Sequence, residues 1–204
     1  MNGIAVISGT THGIGRVTSR ELAKAGYTVV MLCRDLTAAR NVRDEILPQV
    51  PGAAIHGIRC DLASFSSVRE CAHALRGAID QITLLINNAS AAYSQSKLVN
   101  VMYTFALARR LAATQGTANC LHPGVVATNL LPGWLRILNP LLGHVIDPEA
   151  GARSSMYLAL SSEVARTNGC YFDECHVERR ASQLACDVEL QEALWNMSER
   201  WTGT

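Results

Sequence analysis

Three glycines, Gly9, Gly13 and Gly15, stand between a short apolar run, Ile4 to Ser8, and a helical stretch from Arg16 to Ala25. This order of strand, glycine-rich turn and helix constrains the chain more than any other feature. Glycine reaches backbone conformations closed to other residues and lets the chain approach a ligand closely, while the following helix presents unpaired N–H groups to an anion. The turn Gly9-Thr-Thr-His-Gly13-Ile-Gly15 therefore reads as a phosphate cradle, with Gly9, Thr11, His12, Gly13, Ile14 and Gly15 as its contact residues. Taken alone, a glycine-rich turn is also explained as a tight connection with no ligand.

The pattern repeats along the chain. Strand-like runs are Thr28 to Cys33, Ala54 to Cys60, Ile82 to Ile86, Thr117 to Leu121 and Cys170 to Phe172. Helices are expected from Asp35, as N-cap, through Gln49, and around Ser67 to Arg76, where Ser67 and Glu70 have capping-box spacing. Further helices are read at Ser94 to Ala113, Pro148 to Ser161 and Val188 to Arg200. Strands alternating with long helices call for a parallel sheet covered on both faces, with ligands bound outside its carboxyl ends. The expected fold class is α/β, a doubly wound parallel sheet in a single domain.

The 204 residues, 49% hydrophobic and 17% charged, are enough to build one core and too apolar for disorder. A formal net charge of +1 gives no electrostatic reason to expect nucleic acid or an anionic membrane as partner, so a small molecule is expected. Seven scattered cysteines and no signal-peptide pattern point to a reducing, cytoplasmic setting. Cys170, Cys175 and His176 lack a second ligand pair at finger-like spacing, and no metal is expected. The apolar stretch from Leu130 to Ile146 is broken by prolines, glycines and Arg136 and is too short for a transmembrane helix.

Further motifs follow in order: Cys60-Asp61-Leu62, Asn87-Asn88-Ala89, Tyr93-x-x-x-Lys97, and Pro123-Gly124-Val125-Val126-Ala127-Thr128. With the Gly-x-x-x-Gly-x-Gly turn, they resemble the short-chain dehydrogenase/reductase family over essentially the whole chain. Cys33-Arg34-Asp35, His122-Pro123-Gly124 and Tyr157-Leu-Ala-Leu160 are most similar to its retinol-dehydrogenase-like branch. The resemblance implies a Rossmann-like fold and oxidoreduction of an alcohol and a ketone or aldehyde with a nicotinamide dinucleotide. It also implies that Asp61 and Leu62 address the adenine, that Asn88 and Ala89 line its ribose, and that Pro123, Gly124, Val126 and Thr128 flank the nicotinamide. Asp61 as a cap and the asparagines as a clamp between strands are structural roles compatible with binding.

A site for NAD places a carboxylate near the end of the second strand to receive the ribose hydroxyls, whereas NADP needs cationic donors for its 2′-phosphate. Cys33 stands at the carboxylate's place. Arg34 follows it and Arg16 follows Gly15, so two guanidinium groups are expected to converge on the phosphate, favouring NADP, with Asp35 leaving NAD open.

Tyr93 and Lys97 are four residues apart at a helix start and share one face. A free tyrosine, with a pKa near ~10, is a poor base at neutral pH unless a nearby ammonium stabilises its phenolate. Lys24 and Lys97 are the only lysines. Tyr93 is the expected proton donor and acceptor, and by resemblance Lys97 also binds the nicotinamide ribose.

Only Ser90, Ala91 and Ala92 separate Ala89 from Tyr93, where the family places several dozen residues that include a strand and the catalytic serine. Either the segment is deleted or it has been left out of the sequence. A hole in a sheet buried on both faces favours the second origin, because marginally stable domains tolerate such defects poorly. Ser90, the nearest hydroxyl, reads better as a loop or capping residue. Without the serine, a nucleotide-binding sensor or partner-binding module without turnover is the rival reading. The family often forms homo-oligomers through the helix carrying the Tyr-Lys pair. The segment Leu130 to Ile146, rich in leucine with Trp134, points to an apolar alcohol or carbonyl substrate, although such stripes also serve ordinary packing.

Overall fold

The computed structural model describes residues 3–89, 93–126, 145–173 and 178–203; the side chains of 93–96, 125–126 and 145–146 lie outside that description. The chain divides into two compact units, Met1–Ala89 with Val125–Ala152, and Ser90–Gly124 with Arg153–Thr204.

The first unit is built on β1 (Ile4–Ser8), β2 (Thr28–Cys33), β3 (Ile55–Arg59) and β4 (Leu84–Ile86), joined by α1 (Gly13–Lys24), α2 (Leu36–Ile46) and α3 (Phe65–Ala78). All strand pairs are parallel and the order is β3-β2-β1-β4. The central strands bury residues of both faces: Ala5, Val6 and Ile7 of β1 and Val29, Val30 and Met31 of β2 are almost wholly enclosed. Each large aliphatic side chain removed from water in this way contributes about 1.5–3 kcal/mol. Leu22 and Ala23 from α1, with Ala39, Val42 and Ile46 from α2, supply the buried helix faces.

Local chemistry sets the boundaries. Asp35 caps α2, its carboxylate accepting from the N–H groups of Thr37 (2.8 Å) and Ala38 (3.2 Å), a cap worth about 1 kcal/mol. The cap of α3 is Ser64 and not Ser67; Ser67 is buried and its hydroxyl accepts from the Asp61 N–H at 2.9 Å. The capping-box spacing is thus present in the sequence without serving as one, because helix α3 begins two residues earlier. Likewise α1 starts at Gly13, three residues ahead of the expected start, since the glycines form its first turn.

The sheet ends at β4, which among the described residues pairs only with β1. Leu85 is 53% exposed there, a level unlike the enclosed side chains of β1. The same unit contains β6 (Val125–Val126) paired in parallel with β7 (Val145–Ile146), two short strands that sequence periodicity does not reveal.

In the second unit, α4 (Tyr93–Leu111) packs against the last helix, α6 (Val188–Thr202). Arg110 pairs with Glu192 at 2.8 Å and lies 4.0 Å from the centre of the Trp195 ring, which stacks on Tyr103. Arg109 bonds Glu192 at 2.7 Å, and hydrogen bonds from the two arginines hold the Glu192 carboxyl down at about 2. The strands β5 (Cys120–Leu121), β8 (Tyr171–Phe172) and β9 (Glu178–Arg179) form a separate small sheet, where extension of the main sheet was expected. Helix α5 (Pro148–Leu160) places Glu149 in the first unit. Among the described residues, no helix is long and apolar enough to cross a membrane. The six described cysteines are all free thiols.

Candidate nucleotide-binding site

The parallel arrangement sends the carboxyl ends of β1 to β4 in one direction, so the glycine turn, Arg34, Asp61 and Asn88 follow strands ending at one edge of the sheet. Gly9 and Gly13 have φ of +70° and +55°, in the left-handed region that favours glycine. Gly15 is excluded from bearing a side chain for a different reason: a Cβ there would lie 2.2 Å from the Gly9 carbonyl oxygen and 2.5 Å from the Asn88 amide nitrogen.

Asn88 closes the turn. Its side-chain amide donates to the carbonyl oxygens of Ser8 (3.2 Å) and Gly9 (3.1 Å), and the Ala89 N–H donates to the Ser8 hydroxyl at 3.1 Å. The clamp between strands is therefore present, with β1 and β4 joined across about 80 residues of sequence. Ser8 and Ser19 were not singled out by sequence reasoning. The Ser19 hydroxyl donates to the Gly15 carbonyl one helical turn back at 2.8 Å, a local contact, whereas the Ser8 contact depends on a strand distant in sequence.

The turn fits a dinucleotide phosphate. His12 precedes α1 with an extended backbone and no side-chain cap, and no acidic residue occupies the first turn, which leaves the N–H groups of the helix start for an external anion. Thr10, fully buried, has a hydroxyl with no hydrogen-bond partner among the described residues, an uncommon state for a buried polar atom. Thr11 and His12 bond each other, Oγ1 to Nδ1, at 3.0 Å.

At the end of β2, Cys33 is buried, and burial pushes its thiol pKa up, with the nearby Asp35 charge adding to the effect. No anion stands at the ribose carboxylate's usual place. Arg34 is exposed, and one oxygen of the Asp35 carboxylate, Oδ1, accepts both cap N–H groups of α2. Arg16 does not stand free beside the turn; it forms an ion pair with Glu45 of α2. After β3, Asp61 is half-buried and accepts from the Ala63 N–H at 3.1 Å, and Leu62 is exposed.

The remaining residues are placed by different elements. Tyr93 is the first residue of α4, and its side chain lies outside the described residues. Lys97 follows one turn later, its residue surface exposed while desolvation of the ammonium lowers its pKa. Pro123 is half-buried and Gly124, at φ +84°, is buried. Val126 lies in β6, and Thr128 is outside the described residues, as are Cys175 and His176.

The family model for short chain dehydrogenases matches residues 3–92, ending where the sequence passes from Ala89 to Tyr93. Retinol dehydrogenase 14 of Mus musculus is 29% identical over 285 aligned positions, covering 97% of this chain and 85% of that protein. The alignment exceeds the 204 residues here by 81, so at least that many positions of the relative have no counterpart in this chain. Dehydrogenase/reductase SDR family member 13 of Homo sapiens is 27% identical, with 98% and 73% covered. Among solved structures, YwfH, an NADPH dependent reductase involved in bacilysin biosynthesis, superposes with a TM-score of 0.68 at 16% identity, covering 83% of this chain and 96% of its own. That likeness shows the Rossmann-type fold.

Proposed function

We propose that this chain, similar to short-chain dehydrogenases over residues 3–92 and to retinol dehydrogenases over most of its length, is a single-domain, cytoplasmic oxidoreductase that uses NADP to interconvert an apolar alcohol with its ketone or aldehyde. The observation that carries the cofactor reading is the end of β2. Cys33 is a buried thiol with a raised pKa, so the end of β2 itself carries no carboxylate for an adenosine ribose with two hydroxyls, and the nearest one, Asp35, has its Oδ1 engaged in capping α2. Arg34 is exposed and directly follows β2.

NADPH is expected to bind more tightly than NADH, and Arg34→Ala is expected to weaken NADPH by about tenfold, the value of one charge-assisted contact, with little change for NADH. Fluorescence titration of both nucleotides against wild type and variant checks this, and equal or NADH-favouring affinities in the wild type overturn the assignment.

The bound dinucleotide supplies or accepts the hydride. The chain's own part is to hold it and to move a proton. The helix start and the turn closed by Asn88 receive the pyrophosphate, and Asp61 and Leu62 stand at the end of β3 for the adenine. The Tyr93 hydroxyl gives its proton to the carbonyl oxygen in reduction, becoming the phenolate, and the phenolate takes the alcohol proton in oxidation. Lys97, one turn along α4, favours the phenolate by its charge.

The substrate class rests on the apolar segment from Leu130 to Ile146, which offers a sugar or an acid few polar partners. A panel of carbonyl compounds graded by polarity is expected to show higher kcat/KM for long-chain or cyclic apolar compounds; the reverse order removes this part of the reading.

A further inference from the structure

We propose that α6 pairs with α6 of a second copy of this chain, antiparallel and about a two-fold axis, through the stripe Leu190, Leu194, Met197 and Trp201. These residues are spaced by four, three and four, the repeat that keeps one seam of a helix facing a partner helix. The other side of α6 is already occupied: Gln191 is buried, Glu192 pairs with Arg109 and Arg110, and Trp195 stacks on Tyr103 of α4. At 3.6 residues per turn, Leu190 and Met197 fall on the side away from those contacts, with Leu194 and Trp201 at its margin. Exposure follows this geometry: Leu190 is 42%, Met197 41% and Trp201 51% exposed, while Leu194 is half-buried. Apolar side chains exposed in a row, and not singly, mark an interaction surface.

The charges beside the stripe select the partner and its direction. Glu189 and Arg200 are exposed, lie on the same flank of the stripe, and have no ion-pair partner among the described residues; the Arg200 Nε donates to the Asn196 carbonyl of its own helix at 3.3 Å. A two-fold axis between Leu194 and Met197 sets Leu190 against the partner's Trp201 and Leu194 against the partner's Met197. It also brings Arg200 to the partner's Glu189, and the contact occurs twice. Antiparallel pairing puts like flanks together, whereas parallel pairing would set this flank against the side that carries Gln191 and Ser198 and leave both charges alone. Ala193, exposed in the middle of the same flank, has a side chain small enough to let the helices approach closely. Rim pairs give direction and specificity more than affinity. A single helix pair buries less than the ~1,600 Å² of a standard interface, so the association is weak, with a dissociation constant on the order of 10⁻⁵ M.

The test is sedimentation velocity of the full chain between about 1 and 200 μM, where a mass-action shift from monomer to dimer is expected. Met197→Glu sets a charge against the partner's Leu194 and is expected to weaken association by at least about tenfold. Glu189→Arg and Arg200→Glu each bring like charges together and are expected to weaken it by about three- to tenfold. The double variant, with both charges exchanged, is expected within about twofold of the wild type. All three positions are exposed, and circular dichroism checks that each variant keeps its helix content. A chain that stays monomeric throughout overturns the proposal. So does a dimer that ignores Met197→Glu and yields instead to Val99→Arg at an exposed position of α4, because another helix would then hold the copies together. A double variant that associates no better than either single one overturns the antiparallel register and the proposal with it.

Discussion

Tyr93→Phe is expected to lower hydride transfer by about 10²–10⁴-fold, with the NADPH dissociation constant within about twofold of the wild type. Phenylalanine keeps the ring and removes only the hydroxyl proposed to exchange the proton, so the loss is expected to fall on kcat. Lys97→Ala is expected to harm both turnover and cofactor binding. The lysine's pKa is lowered by desolvation, a condition in which the ammonium gains most from a neighbouring anion such as a phenolate. Lys97 is also the residue that the family resemblance assigns to the nicotinamide ribose. Single-turnover measurements at saturating cofactor separate the two effects. A Tyr93→Phe protein with most of its turnover intact would remove the pair as the catalytic centre.

Gly15→Ala should combine a loss of dinucleotide affinity with a fall in Tm. A methyl group there would press on the Gly9 carbonyl oxygen at 2.2 Å and on the Asn88 amide at 2.5 Å. The first obstacle is backbone, which cannot swing aside as a flexible side chain would, and the second is the donor that bonds Ser8 and Gly9. Overpacking of this kind costs about 1–3 kcal/mol, on the order of 5 °C in Tm for a chain of this length. The affinity loss should exceed the stability loss, because the displaced carbonyl and amide define the turn itself. Gly77→Ala is the matched control: it lies within α3, has open space around it, and should be neutral or stabilising by about 0.5–1 kcal/mol. Wild-type affinity and Tm in Gly15→Ala would show that the close approach at the turn is not a binding requirement.

By itself the sequence determined the elements whose cause is local. Strands β1 and β2 appear at their expected residues because runs of β-branched and aliphatic side chains suit a sheet buried on both faces. Asp35 caps α2 as read, since the cap needs only N–H groups two and three residues ahead. The glycine turn, Arg34, Asp61 and Asn88 follow the carboxyl ends of their strands, an outcome that strand and helix alternation alone dictates.

Tertiary structure decided what depends on partners distant in sequence. Ser64 and not Ser67 caps α3, because packing buries Ser67 against the Asp61 backbone. Asn88 reaches back to Ser8 and Gly9 only because β4 lies beside β1, and Arg16 meets Glu45 only because α1 and α2 bring their side chains to one cavity. The two-residue strands β6, β7 and β9 carry no periodicity to read; pairing alone makes them strands. The edge at β4 is of the same kind. Ile82 to Ile86 reads as a strand of a sheet covered on both faces, and the exposure of Leu85 follows from which neighbour the sheet supplies, a matter of long-range pairing and not of its own side chain.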